Sequence, residues 1–201
     1  MSEHYYERHP TSESNPTFFN AILNTFTFTF QTDDGVFSKK QVDYGTKALL
    51  AQFKQPKVMG EFLDVGCGYG PIGITLAKQF PGRSVVMVDV NERAIRLAQE
   101  NIELNDLENA KVRFSDALSA VKDEQFASVI TNPPFRAGKK VVHQIMEESF
   151  DVLKPGGELW VVVQKKQGAP SLKKKLESLF SQVDTVSKDK GYYILRAQKF
   201  D

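Results

Sequence analysis

Hydrophobic and polar residues alternate with a period of two over Phe26-Thr27-Phe28-Thr29-Phe30, which predicts a half-buried strand. The following Asp33-Asp34-Gly35 is a turn signal, and Val36–Ser38 is a candidate returning strand. Residues 1–17 are polar and predict a frayed tail, whereas Thr46–Phe53 predicts a short helix. The first part of the chain therefore predicts a polar tail and a small extension of strand and helix.

From Glu61 onward, short apolar strands alternate with amphipathic helices. The predicted strands are Phe62–Val65, Ser84–Asp89, Lys111–Phe114, Phe126–Ile130 and Glu158–Val163. The predicted helices are Ile72–Phe80, Arg93–Leu104, Lys139–Leu153 and Ser171–Phe180, and the closing antiparallel hairpin is Val183–Val186 with Tyr192–Ala197. This alternation predicts an α/β fold with a doubly wound, mainly parallel seven-stranded sheet. We assign the extension to residues 18–55 and the main domain to residues 56–201.

Composition supports a globular protein with a real core, because 41% of the 201 residues are hydrophobic and 25% are charged. A single cysteine excludes an internal disulfide and fits a reducing cytoplasm. Residues 1–15 lack the apolar run of a secretory signal, and no apolar run approaches the roughly 18 residues of a membrane span. Three scattered histidines and one cysteine make no metal-ligand set. We expect a cytoplasmic protein without a metal or a membrane anchor.

Charge is unevenly distributed along the chain. Residues 1–130 carry 13 Lys and Arg against 17 Asp and Glu, whereas residues 131–201 carry 13 against 8. The basic surplus begins with Arg136, Lys139 and Lys140. Such a surface suits a polyanion, and a solvated face of lysines is an equally good explanation of the charge alone.

Asp64-Val65-Gly66-Cys67-Gly68-Tyr69-Gly70 follows one predicted strand and precedes a helix. Asp89 ends the next strand, at the distance where a carboxylate accepts hydrogen bonds from a ribose diol. Pro71 stands where a dinucleotide-binding loop has its third glycine, and Asp64 suits a ligand with a cationic group better than a diphosphate. Asp116 follows the third strand and is a candidate acceptor for an adenine amino group, or an ordinary surface carboxylate.

Asn132-Pro133-Pro134-Phe135 directly follows the predicted strand Phe126–Ile130. Two prolines fix φ and remove backbone donors, so the chain is stiff and irregular where a strand of an open sheet ends. The turn presents an amide, the Pro133 carbonyl, for which we expect no local competitor, and an aromatic ring. Amide and carbonyl oxygens accept both hydrogens of an exocyclic amino group, and the ring stacks on a base. Asn132, Pro133 and Phe135 are therefore candidate catalytic residues for a planar heterocycle.

Together these motifs resemble class I S-adenosylmethionine-dependent methyltransferases. Leu63–Gly70 is similar to their cofactor loop, Val88–Asn91 to their ribose acid and Ser115–Ala117 to their adenine contact. Asn132–Phe135 resembles the motif of members that methylate exocyclic or amide nitrogens. Gly35–Ser38, followed by Asp43-Tyr44-Gly45-Thr46, resembles the small-subunit (16S) ribosomal RNA guanine-N2 methyltransferases of the RsmC type.

The resemblance implies a Rossmann-like methyltransferase fold, S-adenosylmethionine as the cofactor, and ribosomal RNA or the small ribosomal subunit as the partner. The implied cofactor-binding residues are Asp64, Gly66, Cys67, Gly68, Asp89, Asp116, Ala117 and Asn132, with Asp43 and Thr46 closing over the cofactor. The implied RNA-binding residues are Arg136, Lys139, Lys140, Lys39 and Lys40. An ordinary helix start capped by Thr46 is the alternative explanation for the Asp43 segment.

Several functions remain open at this point. Related proline turns serve adenine N6 and protein glutamine amides, and a non-catalytic RNA-binding module could share the fold. A nicotinamide oxidoreductase is disfavoured by Pro71 and by the absence of a proton-relay set. The longer proteins of the RsmC type carry a second, degenerate methyltransferase-like domain before the catalytic one, where this chain has a short extension. We take a monomer as the default state.

Overall fold

The computed structural model describes residues 6–201, so the first part of the predicted polar tail, including His4, lies outside the described residues. Within that range the chain forms nine strands and five α-helices. The strands are β1 (Thr17–Leu23), β2 (Phe26–Thr32), β3 (Phe62–Val65), β4 (Val85–Asp89), β5 (Ala110–Phe114), β6 (Phe126–Thr131), β7 (Leu153–Gln164), β8 (Gln182–Asp189) and β9 (Tyr192–Gln198). The helices are α1 (Tyr44–Gln52), α2 (Pro71–Gln79), α3 (Glu92–Leu104), α4 (Lys139–Val152) and α5 (Ala169–Leu179).

Seven strands form the central sheet in the order β5-β4-β3-β6-β7-β9-β8. The first five are parallel to one another, and β9 runs antiparallel to both β7 and β8. This confirms the predicted mainly parallel sheet with a C-terminal antiparallel hairpin. Strand order reverses between β3 and β6, because β4 and β5 extend the sheet on the other side of β3. A crevice at the carboxyl ends of the strands is expected at such a reversal.

Two hydrophobic cores cover the two faces of the sheet. One core packs the β1–β2 hairpin and helices α1 to α3 against the sheet, with Phe30, Phe62 and Trp160 buried at its centre. The other packs helices α4 and α5 on the opposite face, around Phe126 and Met146. Because both faces are covered, the central strands are apolar on both sides, as parallel strands usually are. No helix within residues 6–201 has the length and apolar character needed to cross a bilayer.

The partner of β2 differs from the prediction. Val36–Ser38, expected as a returning strand, is a turn, and β2 pairs instead with the preceding strand β1. Asn24 and Thr25 join the two strands, both with positive φ (48° and 73°). Two such residues match the right-handed twist of a hairpin, which explains why a two-residue turn without glycine closes it.

Side chains of α3 complete the outer edge of β2. Asn101 accepts from the Gln31 backbone N–H at 2.7 Å and donates to the Gln31 carbonyl at 2.9 Å. Asn105 makes the same pair of bonds with Thr29, at 3.2 Å and 2.9 Å. Asn101 also donates to the Tyr69 carbonyl at 2.8 Å. The two amides therefore replace a third strand and join the hairpin to the loop after β3.

The beginning of β7 also differs from the prediction. Helix α4 ends at Val152, and β7 begins directly at Leu153, so Pro155-Gly156-Gly157 belongs to the strand instead of separating helix from strand. A Cβ at Gly157 would lie 2.8 Å from the Lys154 carbonyl oxygen and 3.1 Å from that of Ala127. Only glycine allows the start of β7 to approach β6 this closely.

The described part of the polar tail is not frayed. Residues 6–15, which we call the N-terminal strap, lack regular secondary structure but lie across the start of α3. Glu92 donates its backbone N–H to the Arg8 carbonyl at 3.0 Å, and Arg93 donates to the Ser12 carbonyl at 2.7 Å. The Asn15 backbone N–H donates to Asp33 at 2.5 Å. These hydrogen bonds give the segment a defined path that its polar composition did not indicate.

Arg83 holds the connection between α1 and β3. Its side chain is 7% exposed, and its guanidinium donates to the carbonyls of Pro56 (3.1 Å), Val58 (3.0 Å) and Gly60 (3.0 Å). A planar guanidinium supplies several fixed donors, whereas a lysine ammonium cannot reach three carbonyls in this arrangement.

We predict that Arg83→Lys lowers the free energy of unfolding by about 2–3 kcal/mol, because buried carbonyls lose their partners. Urea denaturation measures the change. Arg96→Lys, on the exposed face of α3, is the matched control and should change stability by less than about 0.5 kcal/mol. Equal stability of the two variants would contradict the structural role of Arg83.

Candidate active site

A cavity of about 430 Å³ opens at the carboxyl ends of β3, β4, β6 and β7. Many of the predicted site residues line it: Asp43, Thr46, Gly66, Cys67, Gly68, Asp89, Asn132, Pro133, Phe135 and Arg136. These residues come from four separate segments of the chain. The fold thus brings together the glycine loop (Gly66–Gly70), the acid of β4 and the proline corner (Asn132–Phe135).

Other predicted residues lie elsewhere. Asp64 is buried beneath the glycine loop. Asp116 and Ala117 follow β5, and neither is among the described residues that line this cavity. Lys139 and Lys140 are exposed at the start of α4. Lys39 and Lys40 line a second depression of about 540 Å³, the side groove, formed by residues 34–41 with Ser12 and Arg136. Lys39 is also ion-paired with Asp34.

The glycine loop leaves its backbone open to the cavity. Gly66 and Gly68 have φ of +69° and +57°, and a Cβ at either position would meet no atom of residues 6–201 within 4 Å. Side chains are strained at these angles and would project into the cavity space. The two glycines therefore form a floor against which a ligand can lie directly.

Asp89 joins the glycine loop to the start of α3. One carboxylate oxygen accepts from the Gly68 backbone N–H at 2.8 Å, and the other accepts from the Asn91 N–H at 2.9 Å. Burial raises the pKa of this carboxyl, while the backbone hydrogen bonds from Asn91, Gly68 and Val90 lower it. Each carboxylate oxygen keeps a further lone pair, so Asp89 can still accept from a diol in the cavity.

Asp64 is a buried acid with one unused oxygen. Its Oδ2 accepts from the Gly73 backbone N–H at 2.9 Å, and Oδ1 has no hydrogen-bond partner among residues 6–201. Burial raises the pKa of Asp64 to about 7, and the nearby Asp89 charge adds to this effect. A buried acid with one unpartnered oxygen, below a glycine floor, fits a cationic ligand. Within the described residues, no group of three or more His, Cys, Asp or Glu could hold a metal ion.

The proline corner is fixed beside the glycine loop, because Thr131 donates its hydroxyl to the Val65 carbonyl at 2.8 Å. Pro134 has φ −78° and ψ 76°, the geometry of an inverse γ-turn, and the Phe135 N–H donates to the Pro133 carbonyl at 2.9 Å. The expectation that nothing local competes for this carbonyl was wrong. A carbonyl oxygen has two lone pairs, so one remains for a ligand.

Neighbours on α1 fix the orientation of the Asn132 amide. Its Nδ2 donates to Asp43 Oδ2 at 3.1 Å and to Thr46 Oγ1 at 3.2 Å. An ionised Asp43 carboxylate only accepts, so the amino half of the amide must face α1 and the oxygen faces away from it. Asp43 also caps α1, accepting from the Thr46 N–H at 3.3 Å. The segment is thus a helix start, and its cap also orients the amide of the proline corner.

Sequence reasoning missed part of the cavity wall. Gln164 at the end of β7, and Lys166 and Gln167 directly after it, line the cavity. Tyr6 lines it from the N-terminal strap. The rule that ligands bind at the carboxyl ends of parallel strands would have indicated the residues after β7. The sequence carries no comparable signal for Tyr6, because the strap has no regular secondary structure.

The family model described as "Methyltransferase small domain" matches residues 27–196. The uncharacterized protein YbxB of Bacillus subtilis (strain 168) is 55% identical over 200 residues. The match covers 99% of this chain and 100% of that protein. Ribosomal RNA small subunit methyltransferase C of Shewanella amazonensis is 35% identical over 169 residues, covering 82% of this chain and 48% of that protein.

Among solved structures, the 16S rRNA N2 methyltransferase RsmC of T. thermophilus, in complex with AdoMet and guanosine, superposes with a TM-score of 0.83. The two chains are 29% identical, and the match covers 93% of this chain and 51% of the RsmC chain. The chain thus spans the full length of YbxB but only about half of the ribosomal RNA methyltransferases that it matches.

The raised pKa of Asp64 predicts a pH effect. Its pKa of about 7 in the folded protein exceeds the ordinary aspartate value of 3.8, so the unfolded chain binds fewer protons between these values. This contribution destabilises the folded protein progressively as pH rises through that window.

In the same pH window Asp64 becomes charged and able to attract a cation. We predict that the affinity for S-adenosylmethionine rises between about pH 6 and pH 8 relative to Asp64→Asn.

Calorimetric titrations in buffers of different ionisation enthalpy measure both the affinity and the protons released on binding. Asp64→Asn keeps an oxygen for the Gly73 N–H and removes the titration. Parallel pH profiles of the two proteins would contradict the assignment.

Proposed function

The chain belongs to the methyltransferase small domain family, and from this premise we propose that it transfers a methyl group from S-adenosylmethionine to guanine N2 of 16S ribosomal RNA. The observation that carries the proposal is the Asn132 amide, held by Asp43 and Thr46 beside the glycine loop. Family membership and similarity to ribosomal RNA methyltransferases support the class of reaction. A cytoplasmic location accords with the single cysteine.

S-adenosylmethionine fits the residues of the cavity. It supplies a methyl group on a positively charged sulfur, which is transferred as the carbon–sulfur bond breaks. The open backbone of Gly66 and Gly68 accommodates a ligand at van der Waals contact. Asp89 would accept from the ribose diol, and Asp64, with its unpartnered Oδ1, would provide negative charge beneath the loop once it is ionised. Each of these residues matches one chemical feature of the cofactor.

The proline corner supplies the acceptors for the target amino group. An aromatic amino nitrogen is a poor nucleophile because its lone pair is delocalised into the ring. Asn132 Oδ1 and the remaining lone pair of the Pro133 carbonyl accept its two hydrogens, while Phe135 stacks on the base. Holding the nitrogen in line with the methyl group in this way is worth up to about 7–11 kcal/mol in favourable intramolecular reactions. The product nitrogen then loses a proton to water, so no strong base is needed.

Guanine N2 is favoured over adenine N6 and over a glutamine amide by the relatives. RsmC of T. thermophilus, described with AdoMet and guanosine, shares 29% identity with this chain over 51% of its own length. The target base must leave its stack to enter the cavity. We therefore propose that an unpaired or extruded guanine is the substrate.

The side groove provides a path for the flanking RNA backbone. Arg136 lines both the cavity and the side groove, and Lys40 lines the side groove. Lys166 lines the cavity from the segment after β7. Cations at these positions would neutralise phosphates on either side of the extruded base. Lys39, Lys139 and Lys140 remain predicted RNA contacts.

We predict that Asn132→Ala binds S-adenosylmethionine nearly normally but loses methyl transfer by about 100-fold or more, because one preorganised polar group is lost. Labelled methyl transfer to total RNA from cells lacking the protein measures the rate, and nucleoside mapping identifies the product. N2-methylguanosine in 16S RNA is the expected product of the wild type. A different nucleoside would contradict the guanine assignment, and near-full turnover of the variant would contradict the role of Asn132.

Asp43→Asn is the paired variant. Asparagine still caps α1, so the fold is preserved, but it can donate as well as accept and no longer enforces one orientation of the Asn132 amide. We expect a smaller loss of transfer, about tenfold, with unchanged cofactor affinity. An equal loss of cofactor affinity would assign Asp43 to the cofactor instead.

We predict that the double variant Lys40→Gln with Arg136→Gln weakens RNA binding and reduces the slope of log affinity against log salt by about 1.4, the value for two phosphate contacts on a single strand. Filter binding over a salt series measures the slope. The double variant Lys54→Gln with Lys57→Gln, at two lysines exposed beyond the far end of α1, is the charge-matched control. An unchanged slope would remove these residues from the RNA interface.

A further inference from the structure

The N-terminal strap is held along its length by hydrogen bonds and close packing. Besides the backbone bond to Glu92, the Arg8 side chain pairs with the Glu92 carboxylate at 3.0 Å, and its guanidinium lies 4.5 Å from the centre of the Phe114 ring. Farther along, Arg93 also donates to the Ser12 hydroxyl at 2.8 Å. A Cβ at Gly35 would lie 2.9 Å from that hydroxyl, so the strap and the loop after β2 are in close contact.

Tyr6 stands at the end of this strap and lines the cavity. Three carboxyl groups act on its hydroxyl, those of Asp116, Asp89 and Glu148. Burial, and then these charges, raise the pKa of Tyr6 to about 12, so the hydroxyl stays a neutral donor over the physiological range. The side chain is half-buried. Arg8, two residues later, lies against Phe114 at the end of β5, so this end of the strap is near β5.

The position of Tyr6 indicates which part of a ligand it meets. Asp89 is the acid at the end of β4, and Asp116 follows β5, whereas the proline corner follows β6 on the other side of β3. The residues near Tyr6 are therefore those on the side opposite the transfer site. A flat ring with one polar tip suits a heteroaromatic base attached to a ribose.

We propose that Tyr6 binds the nucleoside part of S-adenosylmethionine, its ring forming a wall against the adenine. The strap then completes the cofactor site with a residue outside the central sheet. Among the described residues, neither Asp116 nor Ala117 lines the cavity, whereas Tyr6 does. This proposal needs the cofactor but not the RNA substrate, so it stands or fails independently of guanine N2 specificity.

Tyr6 borders the cavity without filling it. The cavity retains about 430 Å³ with the ring in place. That volume lies within the roughly 300–1,000 Å³ of ordinary small-molecule sites. The backbone of Gly66 and Gly68 remains open as well. Binding therefore does not require the strap to leave.

The test compares Tyr6→Ala, Tyr6→Phe and wild type in calorimetric titrations with two probes, S-adenosylmethionine and 5′-methylthioadenosine, which lacks the amino-acid part. We expect Tyr6→Ala to weaken both probes by about tenfold, as loss of one base-stacking aromatic does, and Tyr6→Phe to bind within about twofold of wild type. Phe18→Ala is the matched control, because Phe18 is 63% exposed on β1 just beyond the strap.

Unchanged affinity in Tyr6→Ala would overturn the proposal, and tighter binding would show that the ring occupies the ligand's place. Weakening of S-adenosylmethionine alone would move Tyr6 to the methionine end and would also overturn it. A second measurement avoids dependence on the folding of a variant: 3-fluorotyrosine placed at position 6 should shift its ¹⁹F resonance when either probe binds. An unmoved resonance would exclude contact.

Discussion

Two carboxylates beneath and beside the glycine loop are the constraint on which the site depends. Asp64 accepts from Gly73 at the start of α2, and Asp89 accepts from Gly68 and from Asn91 before α3. These bonds fix the loop between β3 and α2, and they place two carboxyl groups where little solvent reaches. Burial raises both pKa values because it disfavours the charged forms, so a cation bound nearby would stabilise both groups as carboxylates.

The other half of the site depends on residues that precede the central sheet. Asp43 and Thr46 at the start of α1 orient Asn132, and Tyr6 reaches the cavity from the N-terminal strap. Residues before the predicted main domain therefore contribute to the site as well, so the predicted division does not separate a structural part of the chain from a functional one. Similar folds with different segments before β3 would share the glycine floor but orient the corner amide by other contacts.

The central sheet could be predicted because its strands are short apolar runs, each bounded by a turn or a helix start with clear chemistry. The β1 strand could not, because Phe18 and Ile22 face solvent while Phe19 and Leu23 face the core, so that apolar residues on both faces hide the alternation. The strap has no periodicity at all, and its path is set by contacts with residues about 80 positions later.

For the site, the sequence predicted which residues take part better than it predicted the contacts between them. Gly66, Gly68, Asp89 and Asn132 could be selected from motif and position, since each ends or follows a strand of the parallel sheet. The bond from Phe135 to the Pro133 carbonyl could not, because it depends on the ψ angle of Pro134. The contact of Asn132 with Asp43 joins positions 89 residues apart, beyond the reach of any local pattern.

The amides of Asn101 and Asn105 have a consequence for how this molecule meets others. A bare strand edge is a template on which a foreign strand can add, and this is a common origin of aggregation. On β2 the backbone groups of Thr29 and Gln31 are already taken by side chains of the same molecule. An intruding peptide would have to displace four hydrogen bonds, two of them made by the fully buried Asn101, before the sheet could grow on that side.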